Sequence, residues 1–113
     1  MKYYSEDKMQ KIRAALEDKI LNWDDVTTKK MFGCPCYKAN NKLFGFLVTN
    51  GVVFTKLSET ERSVVVEKFN AEPFNAGKRS MGRWPQVTIN DTKEIDKIIP
   101  YLKKSYNNAL QEK

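Results

Sequence analysis

Two cysteines flank one proline in Cys34-Pro35-Cys36, and thiols are the most chemically reactive side chains of this sequence. A thiolate can bind zinc, attack an electrophile or exchange with a disulfide. Structural zinc takes four ligands, commonly Cys and His, but the sequence holds two cysteines and no histidine. The missing histidine also removes the base that usually activates a cysteine nucleophile, although Lys29 or Lys30 could favour the thiolate.

A disulfide between Cys34 and Cys36 would close a small, strained ring of a kind that is labile and redox-active. The remaining interpretation is structural. Gly33 allows a sharp bend, Pro35 fixes a turn, and Cys36 behaves as a small buried apolar residue at the start of a strand. We favour this interpretation and predict no disulfide, no bound metal, no cofactor and no catalytic residue.

A second group of chemistry-bearing residues is the segment GKRSMGRW, residues 77–84. Its cations Lys78, Arg79 and Arg83 could contact phosphates while Trp84 stacks on a base. The alternative is a flexible loop with solvated charges and with Trp84 packed in the core. We favour this alternative, because no helix-turn-helix, zinc-finger or RNA-binding signature accompanies the segment, and its glycine spacing lacks the Lys-Ser/Thr of a phosphate loop.

Positive charge is concentrated in the middle of the chain. The net charge is +6, and residues 27–57 contain five lysines and no acidic residue. A solvated sheet face is the simpler interpretation, whereas clustered charge would also attract an acidic or nucleic-acid partner. The candidate partner-binding residues of the two basic regions are Lys30, Lys38, Lys42, Lys56, Lys78, Arg79, Arg83 and Trp84.

Length and composition predict one globular domain spanning residues 1–113. Hydrophobic residues make up 41% of the chain, which is enough for a packed core at this length. No apolar run approaches the roughly 18 residues that a membrane span needs. The first residues lack the apolar core of a signal peptide, so we expect a cytoplasmic location and no membrane association.

Three helices are predicted, near residues 5–22, 58–69 and 92–111. Ser5 is a good cap for the first helix, in which apolar residues recur every three or four positions from Met9 to Trp23. Capping-box patterns, S-x-x-E from Ser58 and D-x-x-E from Asp91, open the other two helices. Pro100 should kink the last helix or begin a new one.

Strands are predicted at residues 27–32, 36–39, 43–49, 52–57 and 84–89. Asn40-Asn41 indicates a turn, and Asn50-Gly51 is typical of a two-residue hairpin loop. Residues 70–83 are predicted to be irregular. Pro85 lacks an N–H, so the last strand should lie at an edge or start at this proline. The pattern predicts an α+β fold with a largely antiparallel sheet.

Four segments carry a resemblance to a known family: MFGCPCYKANNKLFGFLV, GVVFTKLSETER, EPFNAGKRSMGRWPQVTI and DTKEIDKIIPYLKKSYNNAL. Their order and spacing resemble the N-terminal domain of the TfoX/Sxy family, from about Ile12 to Leu110. The resemblance implies a compact α+β domain with a bent, largely antiparallel sheet flanked by an N-terminal, a short middle and a C-terminal helix. In full-length competence regulators a second, helical domain follows, and we expect this chain to be the stand-alone first domain.

These observations are compatible with three functions. The leading one, which the resemblance implies, is a non-enzymatic regulatory or protein-binding module whose partner could be the transcription machinery. The second is weak nucleic-acid binding through the basic residues, which predicts that their charges converge on one face. The third is a thiol-dependent or small-ligand enzyme centred on Cys34 and Cys36, which needs an accessible thiol of low pKa. A protein-binding module would instead expose an apolar patch.

Overall fold

The computed structural model describes residues 3–31, 33–76 and 78–112. Phe32, at the end of the first predicted strand, and Gly77, at the start of the basic segment, lie outside the described residues. In chain order the elements are α1 (Glu6–Ile20), β1 (Val26–Met31), β2 (Cys34–Ala39), β3 (Lys42–Val48), β4 (Gly51–Phe54), α2 (Glu59–Phe69), β5 (Glu72–Ala76), β6 (Arg79–Thr88), a 3-10 turn (Thr92–Glu94) and α3 (Ile95–Gln111).

The six strands form one antiparallel sheet in the order β1-β2-β3-β4-β6-β5. The sheet is open and bent, and β1 and β5 are its two edges. Together with the N-terminal, middle and C-terminal helices it makes the α+β fold that the sequence predicts. Among the described residues, no helix combines the length and apolar character needed to cross a membrane.

Strand register divides the sheet into two faces with different neighbours. On the helix face, Tyr37 pairs with Gly45 and donates its hydroxyl hydrogen to Glu17 of α1, at 2.8 Å. A Cβ atom on Gly45 would lie 3.0 Å from Leu102 of α3, so the absence of a side chain lets this helix approach closely. Side chains alternate along a strand, so Cys36 and its partner Phe46 belong to the opposite face, where both are also buried.

The prediction that residues 70–83 are irregular is wrong. This segment contains β5 and the first half of β6, which pair with each other. The register shifts between Pro73 and Phe74, and the shift places Phe74 opposite Met81. Phe74 is then buried against the ring of Phe46, with 5.1 Å between ring centroids. Burial of this aromatic side chain offsets the weak strand propensity of the surrounding residues.

The prediction for Pro85 is also wrong, because β6 is an interior strand that begins six residues earlier at Arg79. The proline lies opposite Pro73 of β5, and neither residue has an N–H to donate. Pairing of β6 with β4 extends only from Gln86 to Thr88. Pro85 therefore lies where the strand has a partner on one side alone, which is how a long interior strand tolerates it.

The turns agree with the sequence in part. Asn40 and Asn41 have φ values of 51° and 67° and join β2 to β3 as predicted. The next hairpin turns at Thr49 and Asn50, because Val48 pairs with Gly51 and the glycine belongs to β4. Asn50, with φ 63°, supplies the left-handed conformation of this turn.

Pro35 does not fix a turn, contrary to our prediction. Gly33, with φ 78°, makes the bend, and β2 already begins at Cys34. Pro35 lies within β2 opposite Lys30 of β1. Pairing with β3 begins only at Cys36, so the proline falls in the part of β2 that faces β1 alone. Cys36 is buried as expected, and the bend lies at the glycine instead of the proline.

The helices begin and end close to the predicted positions. The apolar stripe of α1 is buried, and Ser58 and Glu61 form the predicted capping box of α2 through bonds of 3.2 and 2.9 Å. The capping box predicted from Asp91 does not form as expected, because the Asp91 side chain accepts a hydrogen bond from the Lys93 amide instead of the Glu94 amide. Thr92–Glu94 form the 3-10 turn that precedes α3. The last helix is continuous through Pro100, so no new helix begins there.

Candidate functional site

A groove of about 350 Å³ lies beside β1, β2 and β3 at one end of the sheet. We call it the lysine groove because five of its lining residues are lysines. None of the lining residues, all of which belong to the described part of the chain, is acidic. They are Lys29, Lys30, Met31, Cys36, Lys38, Asn41, Lys42, Leu43 and Lys56.

Strand pairing brings these lysines together from separate parts of the chain. Lys29 of β1 lies opposite Cys36 of β2, and Lys38 lies opposite Leu43 of β3. The register of β2 against β3 shifts between Tyr37 and Lys38, so Lys38 pairs with Leu43 while Tyr37 pairs with Gly45. Met31, Cys36 and Leu43 line the same groove as these cations, so the lysines border an apolar surface. Electrostatic attraction of an anion is stronger there than on a fully solvated surface.

Lys56 is held by two residues of α3 and by the residue that follows this helix. Ser105 Oγ accepts a hydrogen bond from the Lys56 amide at 3.0 Å, and Asn108 Nδ2 donates to the Lys56 carbonyl at 2.7 Å. Glu112, just beyond the helix, contacts Lys56 Nζ at 2.6 Å. These three residues are spaced i, i+3 and i+7, which places them along one face. The backbone and the ammonium of Lys56 are therefore both fixed relative to α3.

Glu112 also reaches a second lysine of the groove. Its Oε1 atom lies 3.8 Å from Lys42 Nζ, while its Oε2 atom makes the shorter contact with Lys56. The hydrogen bond from Lys56 is the main cause that lowers the pKa of the Glu112 carboxyl, and the charge of both lysines adds to it. A carboxylate thus bridges β3 and the segment that follows β4 at the end of the groove.

The structure places four of the predicted binding residues around this groove, but it places them unequally. Lys38, Lys42 and Lys56 are half-buried there. Lys30 is exposed and lies opposite Pro35, on the helix face, where it also borders a cavity of about 300 Å³ containing Glu6. Since side chains alternate along a strand, Lys29 rather than Lys30 shares the face of Cys36. Our list of candidate residues omitted Lys29, and the alternation around Cys36 is the signal that would have identified it.

The other four predicted residues lie on β6 and at the tip of the β5–β6 hairpin. We call Lys78, Arg79 and Arg83 the hairpin cations, and all three are exposed. Arg83 and Trp84 line a cavity of about 450 Å³ that shares Lys56 with the lysine groove. Lys78 and Arg79 line neither cavity. The eight candidates therefore do not form one surface.

Trp84 is engaged with other rings. Its indole makes an edge-on contact with Phe46, with 5.7 Å between centroids, and a tilted contact with Phe74 at 6.4 Å. The side chain is half-buried in this cluster. A nucleic-acid base that stacked on Trp84 would have to compete with these contacts. Of the two roles considered for Trp84, its surroundings therefore fit packing in the core better than stacking on a base.

Both cysteines are buried, with 2% and 1% of their surfaces exposed, and neither forms a disulfide. The pKa of the Cys34 thiol is raised to about 11, mainly because the thiol is buried and to a smaller extent because of the charge of the neighbouring Cys36. Burial also raises the pKa of Cys36, whose Sγ donates to the Cys34 carbonyl at 3.4 Å. Across the described residues, no group of three or more His, Cys, Asp or Glu side chains could hold a metal ion. The thiols lack the exposure and low pKa that nucleophilic cysteines need.

Exposed apolar side chains are sparse. In the part of the chain that the structure describes, the exposed large hydrophobic residues are Leu21, Val64 and Val66, each at 44%. Val64 and Val66 are two positions apart on α2 and therefore do not share a face. The contiguous apolar patch expected of a protein-binding module is not found among the described residues, and the lysine groove is the more distinctive surface.

A scan of family models finds no match to this chain, and comparisons with curated proteins and with solved structures give none either. The resemblance to the TfoX/Sxy N-terminal domain therefore stays a prediction from the sequence.

Proposed function

We propose that this protein is a non-enzymatic regulatory module that binds an acidic segment of a protein partner in the lysine groove. The observation that carries the proposal is the convergence of five lysines around the apolar side chains of Met31, Cys36 and Leu43. Such a surface fits a segment that has both carboxylate and apolar side chains, because the ligand can satisfy the cations and cover the apolar atoms.

The shape of the groove favours a peptide over a nucleic-acid duplex. Sequence-specific duplex binding spreads over about 1,000 Å² or more of protein surface and follows regularly spaced phosphates. The lysines here surround a concave volume of about 350 Å³, which is a size suited to a few side chains. The hairpin cations Lys78 and Arg79 line a different part of the surface and do not extend this groove.

The chemistry of the thiols supports a non-enzymatic role, because both are buried and their pKa values are raised. The resemblance to the TfoX/Sxy N-terminal domain supports a regulatory role and makes the transcription machinery the class of partner to test first. A cytoplasmic location, as expected from the sequence, is part of this proposal.

The proposal is tested by measuring the fluorescence anisotropy of a short labelled peptide of glutamate and leucine residues. The groove variant carries Lys38→Gln, Lys42→Gln and Lys56→Gln. The matched control carries Lys78→Gln, Arg79→Gln and Arg83→Gln, so both proteins lose three positive charges. We expect the groove variant to bind roughly tenfold more weakly, from several charge pairs of about 0.2–1 kcal/mol each, and the control to change by less than about threefold.

A control peptide with glutamine in place of glutamate should bind weakly to every protein in this series. Equal losses in the groove variant and in the hairpin variant would show that only net charge matters, and they would refute a specific groove.

Weak nucleic-acid binding is the second candidate function, and the exposure of the hairpin cations favours it. Each of Lys78, Arg79 and Arg83 can reach a phosphate without first breaking an ion pair, since none of the described ion pairs includes them. Contact with three to five phosphates would give a slope of log affinity against log salt of about −3 to −4.5 on duplex DNA. Alanine at the three positions should flatten this slope by up to about 3.

An anisotropy series with a labelled duplex at increasing salt measures this slope. Absence of binding at low salt, or a slope that the triple alanine variant leaves unchanged, would remove the second function. Binding of the duplex together with no binding of the acidic peptide would replace the first function by the second.

A further inference from the structure

Glu112 is the one carboxylate that contacts lysines of the lysine groove within the described residues. It reaches the groove from beyond α3, with one oxygen directed to Lys42 and the other to Lys56. The remaining cations of the groove face, Lys29 and Lys38, take part in none of the described ion pairs. The two ends of the groove therefore differ: one end already holds a carboxylate, and the other holds unneutralised lysines.

We propose that Glu112 occupies a carboxylate subsite of the lysine groove, and that an acidic side chain of the partner replaces it there. This inference rests on the proposed function and specifies it further. The ammonium group of Lys42, from β3, and that of Lys56, from the segment after β4, already contact the two oxygens of one carboxyl group. A Glu or Asp of the bound segment would find the same two donors once Glu112 has moved away.

The contacts of Glu112 are suited to exchange. Its side chain is 39% exposed, and exposed ion pairs contribute little to stability because water competes with them. The residue also follows the last turn of α3, so its side chain can move without disturbing a helix. Lys56 would stay in place during the exchange, because Ser105 and Asn108 hold its backbone independently of Glu112.

Competition of this kind predicts that removing the charge of Glu112 strengthens binding of the acidic peptide. The test compares Glu112→Gln with Glu67→Gln, which removes an equal charge from the exposed face of α2 and lines neither cavity. We expect Glu112→Gln to bind the glutamate-leucine peptide about two- to fivefold more tightly, in line with one exposed ion pair, and Glu67→Gln to bind like the wild-type protein.

A double-mutant cycle assigns the gain to the two lysines. When Lys42→Gln and Lys56→Gln are already present, the further change Glu112→Gln should give no gain. A melting curve of each variant shows that its fold is intact before binding is measured.

The outcomes separate this inference from the proposed function. If the groove variant loses affinity but Glu112→Gln binds no more tightly than the wild type, the exchange is refuted and the proposed function stands. An equal gain from Glu67→Gln, or a gain that persists without the two lysines, also refutes the subsite. If the wild-type protein binds no acidic peptide, the proposed function and this inference are both refuted.

Discussion

The lysine groove gathers its cations from three strands and from the segment that follows a fourth, whereas the hairpin cations lie within six consecutive positions of the chain. Sequence proximity and spatial convergence are thus separated in this protein. Lys29 and Lys56 are 27 positions apart and line one groove. Lys78 and Arg83 are five positions apart, and only Arg83 borders a cavity next to that groove.

The difference in surroundings matters more than the number of charges. The hairpin cations are exposed, so water and salt screen them over about 10 Å at ordinary ionic strength. Lys38, Lys42 and Lys56 are half-buried beside apolar side chains, where screening is weaker. A count of charges along the sequence locates both regions, but strand register decides which of them gathers its cations around one groove.

The largest expected difference between the two regions is in thiol reactivity. Because the pKa of Cys34 is raised from 9.0 to about 11, its thiolate fraction near pH 8 falls roughly 100-fold. We expect native Cys34 and Cys36 to react with a thiol reagent at least about 100-fold more slowly than a cysteine introduced by Ser80→Cys in the exposed hairpin. Stopped-flow or colorimetric thiol titration measures both rates.

The pH dependence of this reaction provides the control. Since the pKa of Cys34 is raised, its thiolate forms only as the pH approaches 11, and reactivity should climb through that range. Both thiols should react at once in denaturant. Rapid modification of the native thiols at pH 8 would mean that they are open to solvent, and it would return the thiol-dependent enzyme to consideration.

A smaller difference is expected in how much one serine hydroxyl of each region contributes to the free energy of unfolding. Ser105 is fully buried, and its Oγ donates to the Phe44 carbonyl at 2.6 Å and accepts from the Lys56 amide. The Phe44 carbonyl has a second donor in Thr55, so Ser105→Ala leaves the Lys56 amide as the group without a partner. We expect this variant to lower the free energy of unfolding by about 1–3 kcal/mol.

Ser80→Ala is the matched change in the exposed hairpin and should alter the free energy of unfolding by less than about 0.5 kcal/mol. Denaturant titration of both variants makes the comparison. Similar losses at the two positions would show that α3 does not depend on this buried contact.

The smallest pair of effects concerns two glycines. A Cβ added at Gly33 or at Gly82 would meet no atom within 4 Å, but only Gly33, with φ 78°, has the conformation that disfavours a side chain. Gly33→Ala should therefore destabilise the protein by about 1 kcal/mol. Gly82→Ala should stabilise it by about 0.4–1 kcal/mol, because alanine restricts the unfolded chain. Thermal melting gives the sign of each change in stability. The same sign for both variants would contradict the conclusion that only Gly33 needs the backbone freedom of glycine.

Much of the fold could be predicted from local patterns. The apolar stripe of α1 and the capping box from Ser58 each depend on residues within a few positions of one another, and the structure contains both. The strand β5 could not be predicted in this way. Its formation depends on a register shift after Pro73 and on burial of Phe74 against Phe46, which lies 28 positions earlier. No local propensity encodes such a contact.

The candidate site shows the same limit. Charge clustering drew attention to Lys38, Lys42 and Lys56, but the choice of Lys29 over Lys30 required the register of β1 against β2. The contacts of Ser105 with Lys56 and Phe44 span 49 and 61 positions and were not predicted. Long-range polar contacts of this kind leave no periodic pattern in a sequence.

The order of the strands bears on the path by which the chain folds. The first four strands pair with their sequence neighbours and are joined by short connections, so these hairpins close short loops. The contact from Ser105 to Phe44 closes a loop of about 60 residues and has a much larger entropic cost. We therefore expect the walls of the groove to form early in folding, and Lys56 to become fixed only when α3 docks.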